Sequence, residues 1–235
     1  MSYNACLVFK KSFQDAKKVW DCISPLMVSE KVDVFNFEKN KLTKNKVRML
    51  IASDFNVEFD GYEIDFTYIA NSKINILIIK NIEIGFNELE NILIPLFKSS
   101  YFLQGRVYDE DYDTWQNMDD VSYYEVNGRN YSMLPKKSNR LPYPLDRTII
   151  DTSSNPGRYT FHNGYIEFIG SVMWFSKELL DLLQSDIKGL KEHSFISLED
   201  CDSYIKITSH DQLFLENDGS ENKQFILRKL IYPVF

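Results

Sequence analysis

The stretch GYEIDFTYIANSKINILIIKN, residues Gly61–Asn81, decides the fold class. It contains two runs rich in β-branched and aromatic residues, GYEIDFTYIA and KINILIIKN, which meet at the polar break NSK. Two such runs joined by a short polar turn are typical of antiparallel strands. The stretch therefore predicts a β-hairpin in the first half of the chain.

Further strands and helices are predicted on either side of this hairpin. Those before it are a strand at 3–9, a helix at 12–23 with Ser12 as N-cap, a strand at 31–39 and a short helix at 45–55. After it, GFNELENILIPLFKSS has apolar residues at helical spacing, and Pro95 is expected to distort the last turns. The first half thus alternates strands and helices on one sheet.

The last third of the chain also combines both kinds of element. GYIEFIGSVMWF predicts one strand, with Met173 and Trp174 in the core. SKELLDLLQSDIKG predicts one helix, with Ser176 as N-cap and Gly189 as its C-terminal stop. The tail, 202–235, predicts two or three antiparallel strands with NDGSEN as a turn.

These patterns predict an α+β fold: a mixed, mostly antiparallel sheet with a few packed helices and a long irregular middle segment. We expect a single domain over 1–235, with a weak subdivision near 100–130 as the alternative. The three cysteines, Cys6, Cys22 and Cys201, are far apart and odd in number, so reduced thiols are expected rather than a disulfide framework or a zinc site.

Charge and hydropathy restrict the cellular context. A formal net charge of -7 argues against direct nucleic-acid binding, since phosphate contacts need clustered Lys and Arg. The N-terminal sequence MSYNACLVFKKSF has no secretory pattern, and no apolar run has the length of a membrane span. A cytoplasmic protein is therefore expected, with no membrane contact.

Periodicity weakens between residues 104 and 160, where four of the prolines are concentrated. Long irregular segments of compact domains are usually functional or mobile, so function is sought here. Five arginines in this segment are expected to hydrogen-bond loop carbonyls and to pair with nearby aspartates, with an anion clamp as the alternative; they are Arg106, Arg129, Arg140, Arg147 and Arg158.

The same segment begins with YDEDYDTWQNMDD, Tyr108–Asp120, which carries six acidic side chains and no basic one. Its D-x-D-x-D start resembles a calcium loop, but Thr114 replaces the required glycine and Asp120 the bidentate Glu. Paired carboxylates are a second interpretation, with Asp109, Asp113 and Glu125 as the acid/base candidates. No complete catalytic motif is present, so neither a metal nor a cofactor is predicted; His162 is the histidine to test if activity were found.

Five motifs from this region occur in a characteristic order: YDTWQN, NGRNYSMLP, SNRLPYPL, IDTSSNPGRY and GYIEFIGSVMWFS. In this order, over 108–176, the chain resembles predicted bacterial immunity proteins of polymorphic toxin systems. The matching positions consist mainly of turn and packing residues and are interpreted as mostly structural. They are Trp115, Gln116, Asn117, Gly128, Arg129, Asn155, Pro156, Gly157, Arg158 and Trp174.

The resemblance implies a non-enzymatic immunity protein that binds and neutralises a cognate toxin domain in the cytosol. An acidic surface with aromatic anchors would attract a basic partner, such as a nuclease toxin, and then hold it. The partner-binding candidates are Tyr108, Asp109, Glu110, Asp111, Tyr112, Asp113, Trp115, Asp119 and Asp120. The alternatives are a carboxylate- or metal-dependent enzyme and a structural or scaffold protein.

Overall fold

A computed structural model describes residues 2–12, 55–59, 62–210 and 212–233. Three predicted elements fall on the gap between the first two ranges: the helix after Ser12, the strand at 31–39 and the short helix at 45–55. They lie outside the described residues, apart from Ser12 and Phe55 at their ends. Phe55 begins a strand.

Twelve strands are present in the described part of the chain. They are β1 Tyr3–Lys10, β2 Phe55–Phe59, β3 Tyr62–Ile69, β4 Ile74–Ile82, β5 Phe102–Tyr108, β6 Lys136–Ser138, β7 Thr148–Ile150, β8 Thr160–His162, β9 Tyr165–Glu167, β10 Val172–Ser176, β11 Ser197–Asp200 and β12 Tyr204–Thr208. Eight form one sheet in the order β11-β12-β10-β5-β1-β4-β3-β2, and β6–β7 and β8–β9 form two small hairpins. All pairs in the large sheet are antiparallel, which confirms the predicted α+β class.

The hairpin predicted over 61–81 is confirmed as β3–β4. Its register places Ile64 opposite Ile79 and Thr67 opposite Ile76. The reversal occurs at Ala70–Lys73, where Lys73 adopts φ 53°. The apolar runs form the paired strands and the polar break forms the turn between them, as the composition predicts.

Strand β1 lies in the middle of the sheet and is buried on both faces. Alternate side chains point to opposite faces of a strand, and Leu7 contacts one apolar cluster while Val8 contacts the other. Both are fully buried. The Cys6 thiol lies on the second face, where burial raises its pKa to about 12, as expected for a reduced, packed thiol.

Helices cover both faces of the sheet. They are α1 Phe86–Phe97, α2 Glu110–Asn117, α3 Val121–Val126, α4 Lys177–Leu182, α5 Ile187–Glu192 and α6 Glu221–Ile231. Helix α1 packs Leu89, Leu93 and Leu96 on the face that carries Leu7, and it continues through Pro95 to Phe97. Helices α4–α6 pack on the opposite face. Among the described helices, none is both long and apolar enough to cross a membrane.

The single helix predicted over SKELLDLLQSDIKG is wrong, because the chain forms α4 and α5 there. Ser176 is the N-cap of α4 as predicted, accepting a hydrogen bond from the N–H of Leu179 (3.2 Å). A second cap then restarts the helix: Asp186 accepts from the N–H of Gly189 (2.8 Å). Gly189 therefore lies inside α5 and does not end a helix.

Two more predictions need correction in the last third. GYIEFIGSVMWF is interrupted at Gly170, where an added Cβ would lie 2.8 Å from the carbonyl oxygen of Val107, so the segment forms β9 and β10. The predicted strands of the tail are replaced after β12 by helix α6, which buries Leu227 and Ile231 at helical spacing. Met173 and Trp174 are fully buried, which confirms their core assignment.

Candidate functional site

The acidic segment Tyr108–Asp120 folds mainly into the short helix α2 and the turn that leads to α3. Two of its six acidic residues cap these helices. Asp109 Oδ1 accepts a hydrogen bond from the N–H of Tyr112 (2.8 Å), and Asp120 Oδ1 accepts from the N–H of Ser122 (2.9 Å). Each cap satisfies a backbone donor that the first turn of a helix leaves unpaired.

Asp113 attaches α2 to the central sheet. Its Oδ1 lies 2.6 Å from Nη2 of Arg106, a side chain of β5 that is only 6% exposed. The Arg106 guanidinium carbon also lies over two aromatic rings, 4.7 Å from the centroid of Tyr108 and 4.8 Å from that of Phe168. Burial raises the pKa of Asp113, and the neighbouring guanidinium opposes that rise. Asp113 and Tyr108 thus have packing roles in addition to any contact with a partner.

Tyr112, one of the three predicted aromatic anchors, points into the protein. It is 9% exposed, and its hydroxyl accepts a hydrogen bond from Nε2 of Gln224 on α6 (2.9 Å). Burial raises the pKa of Tyr112 to about 12. A partner therefore has little access to this ring, and the prediction that it anchors a toxin does not fit its position.

Trp115 is half-buried at the junction of α2 and α3. Its Nε1 donates to Asp111 Oδ1 (2.8 Å), and the ring stacks against Arg129, whose guanidinium carbon lies 4.1 Å from the centroid. Arg129 also contacts Asp111 Oδ2 (3.3 Å) and Glu216 (2.9 Å). This fits the expected bracing of arginines by aspartates. Of the exposed acidic residues of the segment, Glu110 and Asp119 form no ion pair within the described ranges, whereas Asp111 pairs with Arg129.

The calcium interpretation rests on Asp109, Asp111 and Asp113, and the acid/base interpretation rests on Asp109, Asp113 and Glu125. In the folded chain the three aspartates have different partners. Asp109 accepts a hydrogen bond from a helix N–H, Asp111 contacts Trp115 and Arg129, and Asp113 pairs with Arg106. Glu125 accepts a hydrogen bond from the hydroxyl of Tyr131 (2.6 Å). Within the described ranges, no three His, Cys, Asp or Glu side chains are grouped as metal ligands.

The positions that carry the family resemblance join α2 to the turn at 155–159. Gln116 accepts from the N–H of Gly157 through Oε1 (2.9 Å), and its carbonyl accepts from Nδ2 of Asn155 (2.9 Å). Asn117 Oδ1 accepts from the N–H of Tyr159 (2.7 Å). A Cβ on Gly157 would lie 2.6 Å from Gln116 Cγ, so this close approach needs glycine.

The remaining matching positions also have local structural roles. Gly128 adopts φ +65°, a backbone conformation that favours glycine, and Trp174 is fully buried. The carbonyls of Pro156 and Arg158 accept hydrogen bonds from Arg228 of α6 (3.1 and 2.6 Å). These residues shape the scaffold that carries the exposed surface.

The most exposed apolar surface follows directly on α3. We call residues 127–147 the surface loop; nearly every residue from 132 to 148 is exposed. Met133 is 92% exposed and Tyr143 88%. Of the twelve exposed large hydrophobic side chains in the described ranges, nine lie between residues 123 and 161: Tyr123, Val126, Met133, Leu134, Leu141, Tyr143, Leu145, Tyr159 and Phe161.

The tip of the surface loop is ordered by one side chain, Asn139. Its Oδ1 accepts from the N–H groups of Leu141 (3.2 Å) and Arg147 (3.1 Å), and its Nδ2 donates to the carbonyl of Leu145 (2.8 Å). The N–H of Leu145 donates to the carbonyl of Pro142 (2.8 Å). Leu141, Tyr143 and Leu145 are thus presented on a tip with its own hydrogen-bond network.

The base of the surface loop is tied to the acidic segment. Strands β6 and β7 pair through Lys136–Ile150 and Ser138–Thr148. The N–H of Ile150 donates to the carbonyl of Asp119 (2.9 Å). Hydrogen bonds from Lys137 and from Ser153 lower the pKa of Asp151 to about 2. The loop and the acidic helices therefore form one continuous surface.

The residues predicted from the sequence as partner-binding candidates lie in the acidic segment 108–120 and do not include the exposed apolar side chains of the surface loop. The acidic residues of 108–120 are conspicuous in the sequence, whereas Leu141, Tyr143 and Leu145 of SNRLPYPLDR alternate with Pro142 and Pro144, and prolines at these positions argue against a strand. The available signal was the presence of Leu141, Tyr143 and Leu145 in a stretch too polar and proline-rich to bury them. Searches with family models, curated proteins and solved structures found no match to this chain.

Proposed function

We propose that this protein is a non-enzymatic immunity protein that binds a cognate toxin domain in the cytosol, with the surface loop as its principal contact. One observation carries the proposal: nine of the twelve exposed large hydrophobic side chains of the described chain lie between residues 123 and 161. Five of these nine side chains lie in the surface loop itself, and a large exposed apolar patch on a monomeric protein marks an interaction site. The resemblance of 108–176 to predicted immunity proteins supplies the class of partner.

The order of the tip favours tight binding. A loop that is ordered before it meets its partner loses less conformational entropy on association. The hydrogen bonds of Asn139 hold Leu141 and Leu145 in place beside Tyr143. Tyrosine is enriched among the residues that dominate binding energy. Tyr143 is 88% exposed, so a partner can reach its ring. We therefore assign Tyr143 the role of central anchor.

Electrostatic attraction is expected from the acidic helices beside the loop. Glu110 and Asp119 are exposed, and the whole chain carries a formal charge of -7. Asp111, Asp113 and Asp120 are paired with Arg129, Arg106 and Arg147, which reduces their attraction for a basic toxin. The acidic residues thus increase the encounter rate with a basic partner, and the apolar tip determines how long the complex lasts.

Survival of toxin-expressing cells tests this function. The probe is the product of the gene immediately upstream, expressed with this protein or with its Tyr143→Ala/Leu145→Ala variant. Leu182→Ala is the matched control, because Leu182 is 71% exposed but lies on α4. We expect rescue by the wild type and the control and loss of rescue by the double variant. No rescue and no complex with wild type would refute the immunity function, and full rescue by the double variant would refute the assigned surface.

The charge contribution needs a separate variant. Glu110→Gln/Asp119→Asn removes two exposed carboxylates that have no ion pair among the described residues. We expect association with the same partner to slow at low salt and to approach the wild-type rate at high salt, because screening weakens attraction between exposed charges. Equal association rates at low salt would contradict electrostatic steering by this segment.

A further inference from the structure

A small cavity lies between the turn at 155–159, strand β9 and helix α6. Its volume is about 200 Å³. Its charged lining residues are Arg158, Arg228, Lys229 and one carboxylate, Glu167, so three positive groups face one negative group. The lining therefore carries two positive charges in excess.

Arg228 is the buried member of this group. It is 7% exposed, its Nη1 is paired with Glu167, and its Nη2 donates to the carbonyls of Pro156 and Arg158 (3.1 and 2.6 Å). Its Nε has no hydrogen-bond partner among the described residues. Burial lowers the pKa of Arg228, although a guanidinium stays charged. Arg228 therefore contributes a fixed positive charge to the cavity wall, since both Nη atoms already donate to protein acceptors and Nε is buried.

Glu167 is shared by too many cations to neutralise them all. Its Oε1 also lies 3.6 Å from Nη2 of Arg158, and its Oε2 lies 3.3 Å from Nε2 of His162. Lys229 is exposed and forms no ion pair within the described ranges. A second anion would complete the charge balance of the cavity. His162, the histidine selected from the sequence, belongs to this group through Glu167.

We propose that this cavity binds a small oxyanion of the phosphate or carboxylate class through Arg158, Arg228 and Lys229. Guanidinium groups present paired donors that match both anions, and an ammonium adds a mobile point charge. The site uses residues different from those of the surface loop, so it does not depend on toxin binding. The arrangement also restores the anion clamp considered for the middle arginines, with Arg158 as its member.

Calorimetric titration of the purified full chain tests the site. Inorganic phosphate and acetate are titrated separately at constant ionic strength, which removes general salt effects. Lys229→Gln and Arg158→Gln are compared with wild type, and Lys98→Gln is the control, an exposed lysine at the C-terminal end of α1 on the other face of the sheet. Arg228 is not substituted, because its hydrogen bonds to the carbonyls of Pro156 and Arg158 hold the turn at 155–159 in place.

We expect saturable binding of one anion per chain, with affinity reduced on the order of tenfold by Lys229→Gln and by Arg158→Gln and unchanged by Lys98→Gln. Tighter binding of phosphate than of acetate would assign the site to phosphate compounds, and the reverse would assign it to carboxylates. The absence of saturable binding to both anions would overturn the proposal. Equal affinity in wild type and both cavity variants would also overturn it.

Discussion

Replacing Asp113 by asparagine removes the carboxylate that faces the buried Arg106 guanidinium. Only 6% of the Arg106 side chain and 16% of the Asp113 side chain are exposed, and their atoms lie 2.6 Å apart. Breaking a buried ion pair by removing one partner costs about 3–5 kcal/mol, because the other charge stays buried and uncompensated. The partial exposure of Asp113 places the expected loss near the lower limit, at about 3 kcal/mol. For a domain of this size, the midpoint of thermal unfolding should fall by roughly 6–12 °C.

Urea denaturation followed by tryptophan fluorescence measures this loss. Glu110→Gln is the control on the same helix; it is exposed, so its free energy of unfolding should stay within about 0.5 kcal/mol of wild type. Arg106→Met/Asp113→Leu removes both charges and should recover most of the loss. A wild-type stability for Asp113→Asn would refute the structural role of this acidic residue. A double variant that is no more stable than the single one would refute the uncompensated charge as the cause.

Three further predictions concern the loop, the cavity and the turn. Asn139→Ala should leave the midpoint of thermal unfolding nearly unchanged but speed amide hydrogen exchange at Leu141; unchanged exchange would contradict ordering by this side chain. Burial raises the pKa of Glu167, but the neighbouring arginines and His162 outweigh burial and bring the pKa below its ordinary 4.5. The ionised Glu167 therefore stabilises the fold above about pH 4.5, and this contribution is lost as the pH falls through the lowered pKa. Glu167→Gln should therefore lower the unfolding free energy at pH 7 and make it fall less on acidification; an acid-induced fall equal to that of wild type would contradict this. Gly157→Ala should cost about 1–3 kcal/mol in urea denaturation, because its Cβ would lie 2.6 Å from Gln116 Cγ; wild-type stability would show that the turn can relax.

The predictable parts of the fold were those in which local pattern and tertiary packing agree. The apolar run of β4 is buried along most of its length, and the apolar residues of α1 recur at helical spacing on its buried face. Two errors occurred where a contact interrupts a continuous pattern, in one case long-range and in the other local. The strand pattern is interrupted around Gly170, where a side chain would meet the carbonyl oxygen of Val107, and Asp186 restarts a helix through its capping hydrogen bond. The contact between Gly170 and Val107 joins residues far apart in the chain, so the pattern of one segment does not reveal it.

The candidate site was predictable in location but not in detail. Acidic residues at 108–120 are visible in the sequence, but their partners Arg106 and Arg129 are assigned only by the fold. Tyr112 and Trp115 are equally aromatic in the sequence, and only the path of α6 shows that Tyr112 is buried against Gln224. Burial depends on what packs over a side chain, which composition does not specify.

The dissociation constant of the complex with the upstream gene product tests the central claim most directly. Calorimetric titration of that toxin domain with wild type, Tyr143→Ala/Leu145→Ala and the control Leu182→Ala would be compared at one salt concentration. Removal of binding anchors typically costs about 2 kcal/mol or more, so the double variant should bind at least about 30-fold more weakly while the control matches wild type. Equal affinity of all three would contradict the surface loop as the toxin contact, and no binding by wild type would contradict the immunity function.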